Sequence, residues 1–147
     1  MMIERYLEKI IKEDLKEKMV FVSGPRQVGK TTMAMNLAKE IYPTSYTYLN
    51  WDNVGDRQQM INGLWQANKK LFILDEIHKY RKWKNYLKGE YDKHKESFNI
   101  LVTGSARLDI YRKGGDSLQG RYHAFRLHPL SIAELEGNKN RNFAPFK

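Results

Sequence analysis

Gly24-Pro25-Arg26-Gln27-Val28-Gly29-Lys30-Thr31 satisfies every fixed position of the phosphate-loop pattern GxxxxGKS/T. The preceding run Met19-Val20-Phe21-Val22 reads as a buried strand, and 32–41 reads as a helix. The motif therefore falls on the strand-to-helix turn that it requires. Its glycines let the backbone curl so that successive N–H groups and the helix N-terminus face a β-phosphate. Lys30 is expected to bridge the β- and γ-phosphates, the Thr31 hydroxyl to hold Mg²⁺, and Pro25, Arg26, Gln27, Val28 and Thr32 to complete the cradle. ATP with Mg²⁺ is the expected ligand.

A second chemical landmark lies downstream. Leu71-Phe72-Ile73-Leu74 is an apolar strand that closes on two adjacent carboxylates, Asp75 and Glu76. In a phosphate-loop protein this pattern assigns them different work. Asp75 is expected to hold Mg²⁺, while Glu76, pointing elsewhere, polarises the attacking water. Two further strands end in polar residues at the same expected crevice. Tyr46-Thr47-Tyr48-Leu49 leads into Asn50, a candidate to sense the γ-phosphate or to hydrogen-bond a catalytic carboxylate, although a plain strand-end turn former reads equally well. Phe98-Asn99-Ile100-Leu101-Val102 leads into Thr103 and Ser105, whose hydroxyls can position water near the phosphate.

The remaining segments frame these landmarks. Ile3, Tyr6, Leu7, Ile10, Ile11 and Leu15 recur at helical spacing, so an amphipathic helix precedes the first strand. Residues 54–69 read as a modest helix with Ile61, Leu64 and Trp65 on its apolar side, interrupted at Gly63. Tyr80, Trp83, Leu87 and Tyr91 form the apolar stripe of a helix at 79–95, whose other face carries Arg81, Lys82, Lys84, Lys88, Lys93 and Lys95. Such a face suits nucleic-acid phosphates as well as plain solvation. Residues 109–119 pass through Gly114-Gly115 and predict a short or broken helix. Arg121 then precedes a fifth strand at 122–127, on a turn from which an arginine can reach a neighbouring subunit. A helix starts at Pro129, and 137–147 is a polar tail or truncated linker.

Bulk properties narrow the class. The chain of 147 residues is one domain's worth, and its net charge of +9 suits an acidic partner such as nucleic acid. It has no cysteine, which excludes disulfides and thiolate metal sites, and no apolar run of membrane-spanning length. A cytoplasmic protein with no membrane contact is expected. The four histidines have no metal-site spacing.

Taken together, Arg5-Tyr6-Leu7, the phosphate loop, Leu74-Asp75-Glu76-Ile77-His78, Trp83-Lys84-Asn85-Tyr86-Leu87-Lys88, Thr103-Gly104-Ser105, Ser117-Leu118-Gln119-Gly120-Arg121 and Pro129-Leu130-Ser131-Ile132-Ala133-Glu134 resemble a family of prokaryotic AAA+-like ATPases. In that family the P-loop domain is followed by a C-terminal nuclease-like domain. The resemblance implies an α/β three-layer P-loop NTPase sandwich of the AAA+/ASCE type, with a mainly parallel five-stranded sheet in the order 5-1-4-3-2. It implies a sensor at Thr103 or Ser105, and it makes Arg121 an arginine finger acting in trans, hence a homo-oligomer when active. Residues 1–136 are the expected ATPase domain, with the helical lid and C-terminal domain absent. The leading expectation is ATP hydrolysis with Lys30, Glu76 and Arg121 as the catalytic set. The alternative is a nucleotide-dependent switch that holds DNA or protein and hydrolyses little. A small-molecule kinase fits less well, because Glu76 directly after Asp75 favours water as acceptor.

Overall fold

The computed structural model describes residues 2–24, 29–105, 118 and 120–127. Five strands, β1 (Met19–Ser23), β2 (Tyr46–Asn50), β3 (Leu71–Asp75), β4 (Asn99–Gly104) and β5 (Tyr122–Arg126), pair in the order β2-β3-β4-β1-β5. Every pairing is parallel, and the order is the one implied by the resemblance. β1 and β3 are buried along their whole length, as expected of interior strands covered on both faces. β2 and β5, at the sheet edges, are only partly buried.

Alternation along the strands divides the core into two layers. Val20, Val22, Leu71, Ile73, Leu101 and Phe125 face one side, where they pack against Leu7, Ile11 and Leu15 of α1 (Met2–Leu15) and Met33, Ala34, Leu37 and Ala38 of α2 (Lys30–Ile41). Phe21, Leu49, Phe72, Leu74, Ile100 and Val102 face the other. There they meet Met60 of α3 (Val54–Asn62) and Trp83 and Leu87 of α4 (Trp83–His94). The result is helix, sheet and helix in three layers.

Local chemistry sets the element ends. The helix expected over 54–69 stops at Asn62, because Gly63 adopts φ 116, and the chain continues as a 3₁₀ turn, Leu64–Ala67. Ile61, counted on the apolar face, is therefore 50% exposed, and Met60 is the residue that α3 buries. At the start of α3 the Asn53 side chain accepts the Asp56 N–H at 2.9 Å, while Asp56 Oδ2 accepts the Asn50 N–H at 3.0 Å. These two bonds tie the end of β2 to the following helix. α2 begins at Lys30, two residues earlier than its apolar pattern indicated, with Gly29 at φ 85 as its cap.

Parallel register brings the site residues to one edge. Asn50 lies opposite Asp75, and Asp75 opposite Thr103, so the ends of β2, β3 and β4 form a row at the carboxyl edge of the sheet. β1 ends at Ser23 beside Gly104, and Gly24 continues from it. Gly24 is fixed by crowding as well as by its backbone. A Cβ there would stand 2.5 Å from the Leu127 carbonyl oxygen, where the Leu127 N–H also donates to Ser23 O at 2.8 Å. Apart from Leu118, which is buried, the helix expected over 109–119 lies outside the described residues, as do the helix expected from Pro129 and the 137–147 tail.

Candidate functional site

The end of β1, the start of α2, the end of β3 and the end of β4 lie at the carboxyl edge, where open parallel sheets hold their ligands. Gly24 and Gly29 bracket the loop; Pro25, Arg26, Gln27 and Val28 lie outside the described residues. Lys30 is buried at the first position of α2, and Thr31 and Thr32 follow in its exposed first turn. The N-terminus of α2, with its positive dipole end, thus stands at the same edge.

Thr31 Oγ1 stands 3.4 Å from Asp75 Oδ2, across 44 residues of sequence. Asp75 is only 7% exposed, and its carboxylate is surrounded by hydroxyls. Thr103 Oγ1, fully buried, donates to Oδ1 at 2.9 Å, and the Tyr48 hydroxyl donates to Oδ2. Thr103 therefore serves Asp75 directly, and of the two hydroxyls at the end of β4 only that of Ser105 lies beyond it. Burial first, and then the bond to Asp75, push the Tyr48 phenol well above its ordinary pKa, so it stays a donor.

Glu76 turns away from this cluster. Its φ of 62 places it in the left-handed region, where a non-glycine residue is strained, and its N–H donates to Thr103 O at 3.0 Å. The carboxylate meets a separate group of side chains. His78 Nε2 lies 3.5 Å from Glu76 Oε1 and 3.3 Å from Ser105 Oγ, and Lys79 Nζ lies 3.7 Å from the same carboxylate oxygen. Lys79 is anchored in turn by Asp52 at 2.9 Å. Burial lowers the pKa of His78, with Glu76 opposing, so the imidazole is neutral at neutral pH. Its buried Nδ1 has no hydrogen-bond partner among the described residues.

Asn50 lies at the carboxyl edge, as expected, opposite Asp75. Its Oδ1 accepts the Asp52 N–H at 2.8 Å, shaping the turn after β2, and its Nδ2 lies 3.4 Å from the Tyr48 hydroxyl. Arg121 stands apart from the cluster. It precedes the amino end of β5, where its carbonyl accepts the Met19 N–H at 3.0 Å, and its guanidinium grips Asp92 of α4 through Nε at 2.8 Å and Nη2 at 3.1 Å. The sheet separates it from the loop of its own chain. On α4, Arg81, Lys82, Lys93 and Lys95 at or near the ends are exposed, while Lys88 pairs with Asp92 at 3.7 Å.

Tyr48 and His78 were not singled out by sequence reasoning. Tyr48 shares a strand face with Asn50, so the period-two alternation that placed Asn50 at the crevice also carried the signal for Tyr48. His78 has no metal-site spacing in the sequence. Its position two residues beyond Glu76 gave no sign of the turn that folds it back.

The donor set fits Mg²⁺. A threonine hydroxyl and a single carboxylate are hard oxygen groups, and Mg²⁺ in phosphate sites keeps several waters and uses few protein ligands. No cluster of three His, Cys, Asp or Glu side chains occurs among the described residues. Also among them, no helix is long and apolar enough to cross a membrane.

Comparison with known proteins agrees with this fold. A family model described as an AAA domain matches residues 16–136. The chain is similar, at 24% identity over 151 aligned residues, to an uncharacterized protein of Methanocaldococcus jannaschii, covering 91% of the chain and 33% of the relative. It is also similar, at 26% identity over 154 aligned residues, to an uncharacterized protein of Haemophilus influenzae, covering 93% of the chain and 38% of the relative. The chain thus spans about a third of the length of the curated relatives it matches.

Proposed function

Because the chain belongs to the AAA-domain family, we propose that it is an ATPase that binds ATP with Mg²⁺ and transfers the γ-phosphoryl group to water. The observation that carries this reading is the approach of Thr31 to Asp75 at the mouth of the β1–α2 turn. The start of α2 and a carboxylate from a distant strand come close to each other there, which supports a site for nucleotide and metal. Lys30, Gly24, Gly29 and Thr32 hold the phosphates together with residues 25–28, while Thr31 and Asp75 hold the metal. Bound Mg²⁺ supplies charge neutralisation at the phosphates.

Glu76 is the base. Both Asp75 oxygens face hydroxyl groups, whereas the Glu76 carboxylate is set apart beside His78 and Ser105. Ser105 is the hydroxyl best able to position water, with Thr103 fixing Asp75. Arg121, remote from its own nucleotide site, acts on that of a neighbouring protomer, which makes the active form a homo-oligomer. Residues 1–136 are taken as the ATPase unit and 137–147 as a linker. The greater length of the relatives leaves room for the C-terminal domain that the family resemblance implies. Use of ATP and the lack of cysteine fit a cytoplasmic site of action.

Calorimetric titration with ATP and Mg²⁺ tests the binding step. Wild-type protein should bind, and Lys30→Ala should weaken binding by about 10- to 100-fold, the worth of a charged hydrogen-bond group at a phosphate. No binding by the wild type would overturn the assignment. A second reading, a nucleotide-dependent switch that holds nucleic acid, draws support from the exposed Arg81, Lys82, Lys93 and Lys95. Tight ATP binding with negligible turnover, together with duplex DNA affinity that falls steeply with salt, would favour it.

A further inference from the structure

The hydroxyl of Tyr48 is placed differently from those of ordinary core tyrosines. Tyr46 and Tyr48 lie on one face of β2, and both pack beside the core layer formed with α1 and α2. Packing alone would be served by phenylalanine. The Tyr48 hydroxyl instead enters the polar cluster, where it donates to Asp75 Oδ2 and lies 3.4 Å from Asn50 Nδ2. A hydroxyl brought into a partly buried site without such partners would be destabilising.

We propose that Tyr48 is a positioning residue for the metal half of the site, setting the Asp75 carboxylate so that one acceptor direction remains for a magnesium-bound water. The inference rests on the ATPase reading above and deepens it. A carboxylate offers about four acceptor directions. At Asp75, Thr103 takes one on Oδ1, while Tyr48 and Thr31 approach Oδ2. The carboxylate is thereby held at both oxygens, and its remaining direction lies on Oδ1. Without the phenol, Oδ2 loses a donor and the carboxylate is held less firmly, by Thr103 at Oδ1 and by Thr31 at Oδ2. Partners of this outer kind, which touch a ligand and not the ion, are worth about 10- to 100-fold in metal affinity.

The test separates metal from nucleotide. ADP binding is measured by calorimetry on the full chain, across a Mg²⁺ series and in EDTA, for wild type, Tyr48→Phe and Tyr46→Phe. The Mg²⁺ concentration that half-maximally strengthens ADP binding should rise about 10- to 100-fold in Tyr48→Phe. Affinity in EDTA should be unchanged, and Tyr46→Phe should match wild type in both. An unchanged Mg²⁺ midpoint in Tyr48→Phe, with Mg²⁺-dependent binding by the wild type, overturns the role of Tyr48 and leaves the ATPase reading intact. Equal weakening with and without metal also overturns it, because a packing role would act that way. Wild-type protein that binds no ADP under any condition removes the ATPase reading, and this inference with it. Should Tyr48→Phe not fold, 3-fluorotyrosine placed at position 48 decides the matter. Its ¹⁹F resonance should move when Mg²⁺ is added to the ADP complex, and a resonance that stays in place overturns the proposal.

Discussion

Arg121→Ala should leave the ATP affinity of each protomer unchanged and lower turnover by about 10³- to 10⁵-fold, the contribution of an arginine that stabilises the transition state from a neighbouring subunit. The geometry keeps Arg121 away from the phosphate loop of its own chain, so a finger role would have to be played in trans. Arg121 enters the amino end of β5, while the phosphate loop leaves the carboxyl end of the adjacent, parallel β1. At strand rise the five residues of β5 span about 16 Å, further than an arginine side chain can reach back. Wild-type turnover per protomer should therefore rise with protein concentration. The competing role is structural, because the same guanidinium holds Asp92 of α4 with two bonds. Asp92→Asn separates the two roles. If Arg121 works only by bracing α4, Asp92→Asn should reproduce the loss. If it works on a neighbour's nucleotide, Asp92→Asn should retain most of the turnover. Wild-type turnover independent of protein concentration would end the finger assignment.

Glu76→Gln should cut turnover by about 10²- to 10⁴-fold, the usual worth of a positioned general base, while Mg²⁺ and ATP still bind. The substitution keeps the length of the side chain and removes the basic oxygen, together with the charge that faces Lys79. Steady-state hydrolysis and calorimetric affinity, measured on the same preparation, check both halves of the expectation. Turnover equal to wild type would move the base elsewhere, and a parallel loss of affinity would show that Glu76 contributes to binding instead. Asp75 is a poor substitute for the role, since its oxygens already accept bonds from Thr103 and Tyr48.

Much of this arrangement could be read from the chain itself. The phosphate loop and the acidic pair after an apolar strand are local patterns, and continuous apolar runs gave β1, β3 and β4 because buried parallel strands need no alternation. The strand order came from family resemblance, not from periodicity, because no local pattern records which strand lies beside which. What escaped was side-chain direction. Ile61 looked like a core residue until Gly63 ended the helix and left it exposed. Asn50 was correctly placed at the carboxyl edge, yet its bonds go to the Asp52 backbone and to Tyr48, a choice made by the turn after β2. His78 reaches Glu76 and Ser105 only because the backbone folds into a 3₁₀ turn, Ile77–Lys79, directly after a left-handed residue. Such contacts depend on tertiary packing, which spacing along the chain does not encode.

The left-handed backbone at Glu76 sets two kinds of selection against each other. Glycine or asparagine would occupy φ 62 at lower cost, and a non-glycine side chain held there gives up about 1 kcal/mol or more. Variants chosen for heat resistance alone should therefore drift towards glycine or asparagine at position 76, whereas variants chosen for ATP consumption should retain the acid. Position 76 is thus one where a gain in backbone stability and the proposed role as base pull in opposite directions.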